Sequence, residues 1–324
     1  MKMNDFTLGA LATGLAFGAS AAAAEKWDMP MAYAATNYHS EMGVVFADKV
    51  REYTGGDIDI TVHPGGSLFK GGEIKRAVQT GQAPIGERFM SAHANEAPLL
   101  GWDNLPFIAT SYADNEALWM AAKDKVNAQL SDLNLVALYT CPWPGQGFYF
   151  NKEVGSSQDT QGVKFRSYNT ATATFAESLG MIPVQVEAAE LSQALATGVA
   201  EAFISSGSTG YDRKVWEHLS HYYKVNAWLP RNYVIVNKGT WDGLSAENQA
   251  AVQKAADETG AACSAKSAEL AGWYFEQLEA NGMTVQDAGA DFLVELEAIG
   301  AKMTAEWLET VGDDGQAILD AYKN

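Results

Sequence analysis

The sequence predicts an α/β fold of two lobes, each a mostly parallel sheet flanked by helices. Apolar runs with strand-like alternation take turns with helical periodicity along most of the chain, the pattern of parallel sheets covered by helices. A short echo joins the two halves. Ala77-Val78-Gln79-Thr80-Gly81 and Ala194-Leu195-Ala196-Thr197-Gly198 each close a short helix and lead into a short strand. Length agrees, because about 300 residues beyond a leader are more than one core usually serves.

The elements follow in order. Residues 27–33 read as a first strand. Residues 39–53 form an amphipathic helix, with Met42, Val45, Phe46, Val50 and Tyr53 on one side and Gly55 past its end. Ile58, Ile60 and Val62 alternate with polar residues as in a half-buried strand, and Pro64-Gly65-Gly66 turns the chain. A helix at 73–80 closed by Gly81, a strand at 83–86, a helix at 115–130 and a strand at 135–139 come next. A short apolar strand ends at Arg166. Beyond it run a helix at 171–179, a strand at 182–186, a helix at 189–197 and strands at 202–204 and 233–236. From 246 to 322 helical patterns dominate.

The first residues read as an export signal. Lys2 precedes an apolar stretch of small residues at 6–18, and Ala22-Ala23-Ala24 offers a cleavage site before Glu25, although Asp5 is unusual there. An amphipathic N-terminal helix is the other reading. The stretch is too short and too rich in Gly and Ala to span a membrane. A soluble chain outside the cytoplasm is therefore expected. Its formal charge of -18 argues against nucleic acid and anionic membranes as partners. It also requires any anionic ligand to be held by a local positive site. Cys141 and Cys263, the only cysteines, fit one bridge in an oxidising compartment or two buried free thiols.

No reaction centre emerges. His218 and His221 share a helical spacing that could serve a metal, but no third ligand motif accompanies them, and their neighbours Trp216, Leu219 and Tyr222 favour a packed helix end. Ser205-Ser206-Gly207-Ser208-Thr209-Gly210 matches neither a nucleophile elbow nor a phosphate loop. No metal and no cofactor are expected. An exported hydrolase is the alternative from a different class, and it lacks a nucleophile with a matching base.

Binding chemistry is more visible. Ligands in α/β folds sit outside the carboxyl ends of strands. Arg166 ends a strand there, and its planar charged fork suits a carboxylate; an ion pair between the lobes is the competing role. Asn169 follows in the same polar turn. After the two echoes come Glu87-Arg88 and Ser205-Ser206, the positions that should face each other across a cleft. Arg88 either reaches a second polar group of the ligand or pairs with Glu87 or Glu96. Tyr33, Tyr38, Phe69, Lys70, Trp102, Trp143, Gln146 and Trp228 cluster near predicted strand ends. Their aromatic rings suit flat ligands or ordinary packing. The preferred ligand is a carboxylate with an aromatic or apolar body, with a dicarboxylate held by Arg166 and Arg88, or a sulfonate, as alternatives.

These segments resemble a known family, the substrate-binding proteins of TRAP (tripartite ATP-independent periplasmic) transporters. Phe46-Ala47-Asp48-Lys49-Val50 with Thr54-Gly55-Gly56 is similar to the family's first helix and turn. Pro64-Gly65-Gly66-Ser67-Leu68, Leu105-Pro106-Phe107 and Gly162-Val163-Lys164-Phe165-Arg166 match its next three motifs. Glu190-Leu191, Ala194-Leu195 and Thr197-Gly198-Val199 match a fifth, in the right order. The resemblance covers nearly the whole mature chain. It implies a two-lobed periplasmic-binding-protein fold, hinged by crossing strands and a long helix, for which 246–281 is the candidate. It implies a bidentate bridge from Arg166 to a ligand carboxylate, closure on a small organic acid, and delivery to the small and large membrane subunits of a permease. The expected division is a signal peptide at 1–24, lobe 1 mostly at 25–147, lobe 2 mostly at 148–236, and a C-terminal helical region at 237–324, in a monomer. One departure stands out: relatives often carry Asn-Pro where this chain has Ser205-Ser206, so the second ligand contact is altered, with room for a water.

Overall fold

The computed structural model describes residues 24–323; apart from Ala24, the expected export signal lies outside them. The chain starts with strand β1 (Glu25–Pro30), helix α1 (Tyr38–Tyr53) and strand β2 (Ile58–His63), and the two strands pair in parallel. Asn37 caps α1, its side chain accepting from the His39 N–H at 2.9 Å. Helix α2 (Gly71–Gln79), strand β3 (Ile85–Phe89), helix α3 (Tyr112–Asp132) and strand β4 (Leu135–Pro142) follow. A bridge between Met31 and Glu87 brings β1 alongside β3.

The second group comprises β5 (Gly147–Phe150), β6 (Lys164–Ser167), α4 (Thr170–Ser178), β7 (Ile182–Gln185), α5 (Leu191–Ala196), β8 (Ala202–Ser205), α6 (Gly207–Asp212) and β9 (His221–Lys224). The next strand, β10 (Arg231–Asn237), returns to the first group and lies between β3 and β4, antiparallel to both. Helices α7 (Lys238–Gly243) and α8 (Ala246–Ala280), strand β11 (Thr284–Asp287) and helices α9 (Ala290–Val311) and α10 (Asp313–Lys323) complete the chain. The first group thus holds two sheets, β1-β2 and β3-β10-β4, and the second group one of six strands, β11-β9-β5-β8-β6-β7.

Each lobe has apolar cores of its own. Trp102, Leu118, Val126, Tyr233 and Ile235 pack in the first lobe. Phe148, Phe165, Phe175, Trp228 and Phe292 pack in the second. Burying such aromatic side chains contributes on the order of 2–3 kcal/mol each. Two of the connections between lobes, the one after β4 and the one before β10, run side by side. Trp143 N–H donates to the Pro230 carbonyl at 2.7 Å, Gln146 N–H to Trp228 at 3.0 Å, and Ala227 N–H to Gln146 at 3.0 Å. Gly147 permits this crossing, since a Cβ there would lie 2.4 Å from the Tyr223 carbonyl.

Helix α8 spans the molecule, with 35 residues and a length of about 52 Å. It packs on α1 and β4 in the first lobe and on α6 and β11 in the second. Cys141 and Cys263 are bridged, with Cα atoms 5.6 Å apart, which ties α8 to the end of β4. Of the two states left open for these thiols, the bridge is the one found.

The histidine pair is a correction. His218 follows a 3-10 turn and His221 opens β9, so the two do not share a helical face. Strands β5, β9 and β11 have no counterpart in the sequence reading. The residues of β5 are wholly buried, and those of β11 are exposed at its ends and half-buried between, so neither shows alternation. Among the described residues, no helix is long and apolar enough to cross a membrane.

Candidate cleft site

The carboxyl ends of the strands from both lobes converge on one cavity. Its lining includes Tyr33, Arg88, Trp143, Gln146, Arg166 and Ser205, all singled out from the sequence. Arg88 and Ser205 come from corresponding places after the two echo segments. Gly81 and Gly198 close those segments in the left-handed conformation, at φ +74° and +68°, which glycine adopts without a Cβ clash. The cavity holds about 40 Å³, where one water needs roughly 10–15 Å³.

Arg166 is 3% exposed. Its Nε donates to the Val186 carbonyl at 2.8 Å, and its guanidinium lies 5.0 Å from the centre of the Tyr168 ring. Among the described residues no carboxylate pairs with it. Burial lowers its pKa to about 10, so it remains a cation at neutral pH. A buried cation without a counterion is costly, and a bound anion supplies what is missing.

Arg88 is also buried but is not free. Its Nε donates to His93 Nε2 at 3.3 Å, and a terminal nitrogen donates to Glu187 Oε1 at 3.4 Å. It therefore pairs across the cleft with Glu187, and not with Glu87 or Glu96. Glu87 instead accepts from Asn232 at 2.6 Å and lies 3.0 Å from His39 Nδ1. His93 Nδ1 faces Glu96 at 3.3 Å. That arrangement puts the proton on Nδ1 and leaves Nε2 to accept from Arg88. Burial, then the charges of Arg88 and Lys75, hold the His93 pKa down to about 4.

The walls are aromatic. Tyr33 and Trp143 meet edge to face at 4.7 Å. Trp228 does not line the cavity; it packs in the second core and donates Nε1–H to Tyr168 Oη at 3.1 Å. Tyr168 then donates to Gln146 Oε1 at 3.3 Å, and Gln146 Nε2 donates to the Pro144 carbonyl at 2.9 Å. Asn169 caps α4 and donates to Asn104 across the lobes at 2.6 Å, so its amide is spent away from the cavity. Phe69 packs against the first core. Trp102 is fully buried there, donating to Tyr233 Oη at 2.8 Å, and Tyr38 donates to the Pro142 carbonyl at 2.7 Å.

Six lining residues escaped the sequence reading: Phe89, Tyr168, Glu187, Ala188, Thr209 and Pro230. Tyr168 lies two residues beyond Arg166, hence on the same side of an extended chain. Glu187 lies two residues past the end of β7, the neighbour of β6. Applying the strand-end rule to every strand would have reached both. Ser206 does not line the cavity; it caps α6 by accepting from the Thr209 N–H at 3.4 Å.

The profile of the bacterial extracellular solute-binding proteins, family 7, matches residues 31–310. The chain belongs to this family. Its relatives are substrate-binding proteins of TRAP transporters, which bind small organic acids and work with membrane permease subunits. One is a TRAP solute-binding protein specific for pyroglutamate, from an unidentified marine microbe, solved with co-purified pyroglutamate. It is 83% identical, with a TM-score of 0.92, and the match covers 93% of this chain and 99% of that one. A Bordetella pertussis extracytoplasmic solute receptor binding pyroglutamic acid is 42% identical, with a TM-score of 0.91, over 92% of this chain and 99% of that one. The C4-dicarboxylate-binding periplasmic protein of Rhodobacter capsulatus is 27% identical over 82% of this chain and 78% of its own length. The solute-binding protein described here thus has the two-lobed fold of its relatives.

Proposed function

We propose that this TRAP solute-binding protein captures pyroglutamate, a five-membered lactam carrying one carboxylate, and delivers it to its permease. The observation that carries this reading is the buried, unpaired Arg166 facing a small cavity between the lobes. The terminal nitrogens of Arg166 anchor the carboxylate as a bidentate fork. Gln146, Ser205 and Glu187 offer polar partners to the lactam, while Tyr33, Trp143 and Tyr168 flank its ring. The similarity to two pyroglutamate-binding proteins supports the choice. A compact lactam suits the volume better than the sizeable aromatic or apolar carboxylate favoured by the sequence.

The ligand bridges the lobes and favours the closed form by its added contacts. The proposal includes an exported, monomeric protein whose signal peptide is removed near Ala24, with binding and no turnover. It also includes the division into lobe 1 mostly at 25–147, lobe 2 mostly at 148–236 and the C-terminal region at 237–324. Native mass spectrometry of the purified protein, followed by calorimetry with pyroglutamate, succinate and phenylacetate, tests the ligand. Tight binding of pyroglutamate alone is expected. Preference for phenylacetate or succinate would overturn the assignment.

A further inference from the structure

We propose that Glu187 is the charge-selecting residue of the cleft: by neutralising Arg88 from the opposite lobe, it restricts the cavity to ligands with one negative charge. This rests on the reading that a small organic anion binds between the lobes at Arg166.

Three charged side chains line the cavity, Arg88, Arg166 and Glu187. Two guanidiniums and one carboxylate leave one net positive charge. Without Glu187 the same cavity would present two cations, the set that suits a dicarboxylate. Glu187 is held where it can act. Its Oε1 accepts from Arg88 at 3.4 Å, and its carboxylate reaches the first turn of α2. A methyl group on Gly71 would lie 3.1 Å from both Glu187 Oε2 and Arg88, and one on Gly72 would lie 3.4 Å from Glu187 Oε1. The Gly71-Gly72 pair thus leaves the space in which the two charges meet. The second carboxylate of a dianion reaching toward Arg88 would displace Glu187 or sit beside it unpaired, and like charges in a confined site repel strongly. An uncharged amide group meets no such penalty.

The test compares glutarate with glutaramate, which differ only in exchanging one carboxylate for an uncharged amide, alongside pyroglutamate. Dissociation constants are measured by calorimetry for the wild type and Glu187→Gln, which keeps the shape and one acceptor oxygen. The wild type should prefer glutaramate over glutarate, and the variant should shrink that preference by at least about tenfold. A preference unchanged within twofold overturns the proposal. So does loss of all binding in the variant, since the carboxylate would then serve affinity and not discrimination. Failure of pyroglutamate alone, with the glutaramate preference present and sensitive to Glu187, overturns the ligand assignment but leaves charge selection standing. A wild type that binds none of the three overturns both.

Discussion

Arg166 donates its Nε–H to the backbone carbonyl of Val186 at 2.8 Å, and no carboxylate among the described residues pairs with it. The backbone bond holds the stem and leaves the two terminal nitrogens to the cavity. Closing the lobes without an anion buries this charge uncompensated.

Replacing Arg166 with Gln should therefore separate binding from stability. Losing one partner of a buried charge-assisted pair costs on the order of 3–5 kcal/mol, so ligand affinity should fall at least about a hundredfold. The ligand-free variant should melt at or above the wild type, since an unpaired cation is no longer buried. Calorimetry and thermal melts check the two halves. An affinity within tenfold of wild type removes Arg166 as the anchor.

Arg166 was legible in the sequence because it ends a strand beside a polar turn, inside a motif with fixed order. Arg88 and Ser205 were legible through the echo, which repeats a helix-glycine-strand unit in both lobes. Trp228 and Asn169 were misplaced for a common reason. Position near a strand end shows that a residue approaches the cleft but not which way its side chain turns. Trp228 turns into the Phe148 and Phe175 core, and Asn169 is consumed by capping α4. Glu187 was within reach of the strand-end rule as a cleft residue, but its pairing with Arg88 was not, because the two come from different lobes. Strands β5 and β11 failed for different reasons, one buried on both faces and the other an edge strand exposed at its ends.

His93 couples acidity to the cleft. Burial holds its pKa down to about 4, against 6.5 unperturbed. A depressed pKa means the folded protein binds fewer protons than the unfolded chain between these values. The stability it contributes is complete above pH 6.5 and is lost as pH falls toward 4. The free-energy difference between the wild type and His93→Gln should therefore shrink by about 2–3 kcal/mol from pH 7 to pH 4. Protonated Nε2 can no longer accept from Arg88, so ligand affinity should weaken over the same range in the wild type and less so in the variant. Denaturant melts and calorimetry at stepped pH provide the check; parallel pH profiles would show that His93 does not titrate in this window.

Trp228 should matter to binding without touching the cavity. Its N–H fixes the Tyr168 hydroxyl, which fixes Gln146. In Trp228→Phe the buried hydroxyl loses a donor, at a cost of about 1–3 kcal/mol in stability. Ligand affinity should drop by about tenfold as Gln146 loosens, which corresponds to roughly 1.4 kcal/mol. Tyr168→Phe, which breaks the same chain one step nearer the cavity, should lose at least as much. Normal affinity in both would mean that Gln146 is positioned by its Pro144 contact alone.

The two lobes share a separate polar contact that can be tested without touching the ligand. Asn37 donates Nδ2–H to Asp212 Oδ2 at 2.7 Å and to Ser208 Oγ at 3.3 Å, joining the first lobe to α6. Its Oδ1 meanwhile caps α1. Asn37→Asp keeps the capping oxygen, because Asp serves as well as Asn at an N-cap, but it sets a second carboxylate against Asp212. Burial raises the Asp212 pKa, opposed by the bond from Asn37, and the substitution removes that opposition. At neutral pH the like charges should favour the open form, weakening ligand binding by about tenfold and enlarging the radius of gyration of the ligand-free protein. At acidic pH, once one carboxyl has taken up a proton, it donates to the other, so affinity should recover relative to wild type. Small-angle scattering and calorimetry at the two pH values decide the matter. An unchanged radius and affinity at pH 7 would show that Asn37 is a helix cap and no part of closure.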